Sequence, residues 1–208
     1  LLFGVEFREF SSESLLLQYR FRLAIIMAMT EASDLPELIL RLARLAEAEA
    51  WAQGLNPAQA AALAYLGRAN RFSRAPSQVA DWLGATRGTV SQTLKALAAR
   101  GLVEEDASPR DRRSISYGLT AAGRAALSHP APLDHAAAAL PEAAALAAAQ
   151  ALARVLGDLL ARQGNRPFGL CRTCRHHQPR GGAGAWCGLL SQPLAPEEAM
   201  QICHEHAA

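Results

Sequence analysis

The chain has 208 residues, half of them hydrophobic and 19% charged, with a formal net charge of +2. This is long and apolar enough to bury a core, which excludes intrinsic disorder. It also lacks the large basic excess of histone-like proteins, so any affinity for nucleic acid has to be local. The absence of an uninterrupted apolar run of about 18 residues argues against a membrane span and for a soluble, cytoplasmic protein. Lys95 is the only lysine and alanine is abundant, a bias that a GC-rich coding sequence accounts for. All four cysteines follow residue 170. Without a convincing secretory signal they point to thiol or metal chemistry in a reducing compartment rather than to disulfides.

Residues 1–28 differ from the rest, with four of the six phenylalanines and a single alanine before Met27. The chain begins at Leu1, whereas Met27 or Met29 precedes an ordinary helix opening, so this stretch is expected to be upstream sequence or a disordered arm. A signal peptide is the competing reading. It fits less well, because Leu23–Met29 barely reaches the apolar length required and Glu6, Glu9 and Glu13 lie upstream.

A helical body follows over 29–163. Asp34, Pro36 and Glu37 read as a capped helix start, and Leu35, Leu38, Ile39, Leu42 and Leu45 recur at helical spacing through about Trp51, before Gly54. Asn56, Pro57 and Gln59 repeat the cap ahead of a second helix to about Ala69, with Leu63, Tyr65 and Leu66 as core candidates. Near the other end, Pro141 and Glu142 open a helix whose stripe is Leu146, Leu152, Val155, Leu156, Leu159 and Leu160, up to Gly164. The alanines around 136–149 are expected to be helical rather than a linker. Pairing the first and last of these helices from two chains would make a homodimer interface; packing within one chain is the alternative.

Between them, Pro76–Thr120 reads as a short helix, a turn at Gly84, a second helix from Arg87 to about Arg100 and a two-stranded ribbon. Val79, Ala80 and Leu83 on the first helix, and Val90, Leu94 and Leu97 on the second, face inward. Thr86 is placed to cap the second helix. Its other face carries Gly88, Ser91, Gln92 and Lys95, with Arg87 and Thr89 at the tip. Arg and Gln form bidentate pairs with guanine and adenine edges, and Gly88 permits close backbone approach, so the face suits a major groove better than a merely solvated one. The ribbon runs from Leu102 to Asp106, turns at Ser108–Arg113 and returns with Ile115, Tyr117 and Leu119 alternating. Arg110, Arg112 and Arg113 suit phosphates or a narrow minor groove, with Asp111 placed to orient a neighbouring arginine. From Arg68 to Arg113 nine Arg or Lys stand against five Asp or Glu, so the positive excess is local.

Ala85–Lys95, Gly101–Val103, Ser108–Ser114 and Leu119–Gly123 are the segments in which the chain resembles the MarR family of winged helix-turn-helix regulators, a resemblance that runs from about Asp34 to Arg162. It implies a mainly α fold with a small β-wing and a homodimer on a pseudo-palindromic site in double-stranded DNA. It further implies Arg113 in the minor groove, repression as the usual outcome, and room for a small aromatic effector. Ala75 departs from the pattern, because a Ser or Thr cap is expected there; its absence costs about 1 kcal/mol of helix stability. No phosphate loop, nucleophile elbow or nucleotide fingerprint supports an enzyme. A protein-interaction module that uses a winged helix without DNA is a further alternative.

The tail, 164–208, is expected to be a separate small module. Phe168 and Trp186 are its only aromatics, too few for an independent core, so something must staple it. Cys171, Cys174, Cys187 and Cys203 supply the ligand number of a structural Zn2+ site or a 4Fe-4S cluster. Zinc is the commoner use, although a second close cysteine pair is missing. The spacing with Trp186 beside Cys187 is similar to that of high-potential iron-sulfur proteins. A thiol or disulfide switch is the third option. His176, His177, His204 and His206 flank the cysteines and are read as solvated or supporting groups.

Overall fold

The computed structural model describes residues 12–28, 30–107, 115–128, 131–164, 168–180 and 184–207. The chain divides into two compact units, Leu1–Leu45 and Ala46–Ala208.

In the first unit, Ser12–Ala28 forms helix α1 rather than the expected disordered arm. The segment has neither Gly nor Pro and is rich in good helix formers. Leu17, Phe21, Ile26 and Met27 on it are exposed. Helix α2, Leu35–Ala52, starts where expected, but its cap lies one turn earlier: Asp34 closes a short 3-10 turn by accepting from the Glu31 amide at 2.8 Å. Leu35, Leu42 and Leu45 of the α2 stripe are exposed.

The second unit begins after Gly54, whose left-handed backbone (φ +74°) ends the α2 run. Helix α3, Pro57–Arg68, carries the expected capping box, with the Gln59 amide donating to Asn56 Oδ1 at 2.8 Å and the Asn56 amide to Gln59 Oε1 at 3.2 Å. Helices α4, Pro76–Leu83, and α5, Arg87–Ala99, follow, separated by Gly84 in the left-handed region. Strands β1, Val103–Ala107, and β2, Ile115–Leu119, pair antiparallel from Val103↔Leu119 to Ala107↔Ile115. Tyr117 is the one deeply buried member of the expected alternation; Ile115 faces solvent. Helix α6, Ala121–Ala126, packs so closely that a Cβ on Gly123 would strike the Leu102 carbonyl. The core joins Leu63, Tyr65 and Leu66 of α3 to Val79, Ala80, Val90, Leu94, Leu97, Val103 and Tyr117.

The alanine-rich region is two helices, α7, Pro132–Ala138, and α8, Glu142–Arg162, because Pro141 cannot continue the first. Leu146, Leu152, Val155, Leu156 and Leu159 on α8 are exposed. By length and composition alone α8 could cross a membrane, with a mean hydropathy of 1.4. That corrects the exclusion drawn from run length, which missed it because isolated polar residues interrupt the alanines.

The tail builds strands β3, Gly169–Leu170; β4, His177–Arg180; β5, Gly184–Cys187; β6, Gln192–Leu194; and β7, Ile202–Cys203. Strand β3 pairs with β7, while β4, β5 and β6 form an antiparallel sheet in that order. Far from being an appendage of α8, the tail packs on the winged helix. Ile202 belongs to the main core and bridges Ala69 in parallel, and the Asn70 amide donates to the Ile202 carbonyl at 2.9 Å. Phe168 lies edge-on to Tyr65 and Trp82, with centroids 6.1 and 5.1 Å away.

Candidate nucleic-acid interface and cysteine module

Helix α5 is fixed from behind by Val90, Leu94 and Leu97, all essentially buried. Thr86 Oγ1 accepts from the Thr89 amide at 3.2 Å and meets Thr89 Oγ1 at 2.9 Å. Both hydroxyls therefore shape the helix start, and Thr93 Oγ1 donates back to the Thr89 carbonyl. Arg87, Gly88, Gln92 and Lys95 are exposed and Ser91 half-buried on the outward side. The missing side-chain cap at Ala75 is partly offset by Gln78, whose Oε1 accepts from the Ala75 amide at 2.8 Å while Nε2 donates to the Phe72 carbonyl. Arg110, Asp111, Arg112 and Arg113 of the expected wing tip lie outside the described residues. The ribbon that carries them is anchored: the Tyr117 amide donates to the Arg74 carbonyl, and Tyr117 Oη donates to Glu105 Oε1 at 2.7 Å. Arg74, not singled out from the sequence, donates through Nε and one terminal nitrogen to the Ala69 carbonyl, tying the end of α3 to α4 and β2.

Strand pairing draws together cysteines that are scattered in sequence. Cys187 stands opposite His177, three residues after Cys174, and Cys203 stands opposite Gly169, two before Cys171. Cys171, Cys187 and Cys203 are buried, Cys174 is half-buried, and all four are free thiols. Burial pushes the Cys171 thiol up to about 11, and negative charge on Cys203, Cys187, Cys174 and Glu198 acts in the same direction. The four therefore share one electrostatic neighbourhood, in which a thiophilic cation would relieve their mutual repulsion. Among the described residues no three His, Cys, Asp or Glu side chains already form a closed ligand cage. His177 Nε2 is, among those residues, the one buried side-chain nitrogen or oxygen without a hydrogen-bond partner.

Sequence reasoning missed the groups that receive the module on the winged-helix side. Asn70 and Ser73, each 1% exposed, lie in the α3–α4 connection. Their side chains and the Glu205 backbone hydrogen-bond the Cys203 sulfur, opposing the burial that raises its pKa. Ser73 Oγ also accepts from the His204 amide at 2.9 Å. The His204 ring bridges Asp81 Oδ2 on α4 at 3.0 Å and Glu205 Oε1 at 2.9 Å. Polar residues in a short interhelical loop were the only available signal.

The MarR family model matches residues 53–114, which span α3, α4, α5, β1 and the wing turn. No curated protein sequence matches the chain. Among solved structures, the chain is similar to S. aureus MepR in a DNA complex, with a TM-score of 0.50 and 21% identity over 62% of this chain and 99% of that one. A second similar structure, described as a MarR family transcription regulator, has a TM-score of 0.50 and 20% identity over 73% and 97% of the two chains. Residues 53–114 thus carry MarR-family sequence, and the chain shares the winged helix-turn-helix fold of these proteins.

Proposed function

We propose that this chain is a DNA-binding transcription regulator of the MarR type. It acts in the cytoplasm as a homodimer on a pseudo-palindromic operator and represses from it. The observation that carries this reading is α5: an apolar face locked into the core, a capped N-terminus, and an outward face that presents Arg87, Gln92 and Lys95 to solvent. Arg87, Ser91 and Gln92 read base edges, Gly88 lets the backbone approach, and Lys95 with Arg110, Arg112 and Arg113 neutralises phosphates. Thr86 and Thr89 hold the helix tip at the groove. The exposed apolar stripes of α2 and α8 are the surfaces a second copy would cover, which favours a dimer interface over packing within one chain. A small aromatic effector would suit the cleft of about 300 Å³ lined by Leu55, Leu102 and Ala126 with Arg100 and Gln53.

Cys171, Cys174, Cys187 and Cys203 hold a Zn2+ ion in this reading. What fits is the shared neighbourhood of four free thiols, three of them buried, with hydrogen-bond donors already aimed at Cys203. When bound, the ion supplies a tetrahedral cross-link between β-pairs, without redox chemistry. The chain's own part is to give up the thiol protons and to support the sulfurs with Asn70, Ser73 and the Glu205 backbone.

Selection from a random duplex library at two salt concentrations tests DNA binding, followed by Gln92→Ala and Lys95→Ala. Gln92→Ala is expected to lose about 1–3 kcal/mol of discrimination at one base position. Lys95→Ala lowers affinity on all sequences and reduces the salt slope by about 1. Absence of salt-sensitive binding would instead leave a protein-interaction module. Metal and sulfide analysis on protein purified without oxygen tests the ion: one zinc per chain is expected, and iron with sulfide and a broad visible absorption would make the site a 4Fe-4S centre.

A further inference from the structure

The contacts between the cysteine module and the winged helix converge on one residue. Asn70 Oδ1 accepts from the Phe72 amide at 3.1 Å, which leaves its amide nitrogen as the group that donates to Cys203. Ser73 Oγ accepts from the His204 amide, which leaves its hydroxyl proton for the same sulfur. The main chain of this loop is tied down as well: Tyr65 Oη donates to the Ser73 carbonyl at 2.7 Å, and the Asn70 amide to the Ile202 carbonyl. One residue beyond Cys203, His204 reaches Asp81 in the middle of α4, and its ring lies edge-on to Phe168 at 5.1 Å. Of the four cysteines, Cys203 therefore touches the connection into the helix-turn-helix directly, through groups that are buried and orientationally committed. Cys187 is embedded elsewhere, with Leu194 and the half-buried Phe72.

We propose that Cys203 is the reporting ligand of the cysteine site, and that Asn70, Ser73 and the His204–Asp81 contact transmit occupancy of that site by a thiophilic divalent cation to α4, and so to DNA affinity. This rests on the reading of the four cysteines as a cation site. A cation held by Cys203 fixes the end of β7, and with it the Ser73 and Asp81 partners. Without the cation β7 is held only by its short pairing with β3 and the bridge to Ala69. Helix α4 packs on α5, so a shift of its anchor changes how the recognition helix is presented. Asn70, Ser73 and Asp81 are positioning residues, since none is assigned a contact with DNA.

The test uses the full chain stripped by chelator and reloaded with Co2+ or Zn2+. Cobalt–thiolate absorption reports the site, circular dichroism the fold, and a selected duplex the affinity. For the wild-type chain, the ratio of DNA dissociation constants between stripped and loaded protein is expected to lie in the range of about 5- to 150-fold typical of coupled sites. Asp81→Asn changes an exposed side chain and should leave the cobalt spectrum and the fold unaltered while bringing the ratio close to one. Ser73→Ala should do the same with a weakened cobalt affinity. Wild-type ratios preserved in both variants overturn the transmission route. A wild-type ratio of one despite cobalt–thiolate bands overturns the coupling and leaves the cation site standing. Absence of those bands in the wild-type chain overturns the cation site, and this inference with it.

Discussion

Replacing Phe168 by alanine isolates the packing that joins the tail to the winged helix. The ring contacts Tyr65, Trp82 and His204 edge-on, at 6.1, 5.1 and 5.1 Å between centroids. Aromatic pairs of this kind contribute about 0.5–1.5 kcal/mol each, so Tyr65 and Trp82 together account for about 1–3 kcal/mol. Full burial would raise the loss to about 3–5 kcal/mol, but Phe168 is only half-buried. The expected destabilisation is therefore about 2–3 kcal/mol, which for a chain of this size lowers the melting temperature by about 4–12 °C. Urea unfolding followed by circular dichroism and tryptophan fluorescence measures it, since Trp82 lies at the contact. Limited proteolysis should meanwhile cut more readily between α8 and β3. A loss below about 0.5 kcal/mol, with unchanged cleavage, would refute the packing of the tail on the core.

Two further outcomes follow from other parts of the molecule. Arg113→Ala should weaken binding to specific and random duplexes alike and reduce the salt slope by about 1; equal affinity of variant and wild type on both would remove Arg113 from the interface. In cation-free protein, the Cys171 pKa raised from 9.0 to about 11 favours the protonated thiol in the folded state. Its contribution to stability is therefore complete below pH 9 and lost as the pH climbs through about 11, and chemical denaturation across that window should show a decline that Cys171→Ser diminishes.

Local chemistry made the DNA-binding unit readable from its residues. Thr86, Gly84 and the Asn56–Gln59 pair act within a few positions of themselves, and Val90, Leu94 and Leu97 declare an inward face by period alone. The same locality misled at Asp34, where two overlapping capping patterns compete and the earlier one, from Glu31, is formed. It also misled over the alanine-rich stretch, where propensity says helix on both sides and Pro141 alone decides that there are two. The four cysteines were visible as a group, but their arrangement was not, because Cys187 and Cys203 reach the Cys171–Cys174 turn through strand pairs set by distant partners. The seat of the tail was illegible for a related reason. Nothing near Phe168 or His204 indicates that Tyr65, Trp82, Ser73 and Asp81 will receive them.

The bond between the His204 amide and Ser73 spans 131 positions of the chain. Ile202, next to it, is 3% exposed in the same core as the α3 leucines. A chain emerging from the ribosome can therefore form its recognition helix early but cannot close the hydrophobic interior behind it until almost the last codon has been read. Long-range closure of this kind slows folding and leaves apolar surface uncovered in the meantime. Premature stops a few residues from the end, or a fusion that crowds the last strand, would act on the whole regulator rather than on its tail.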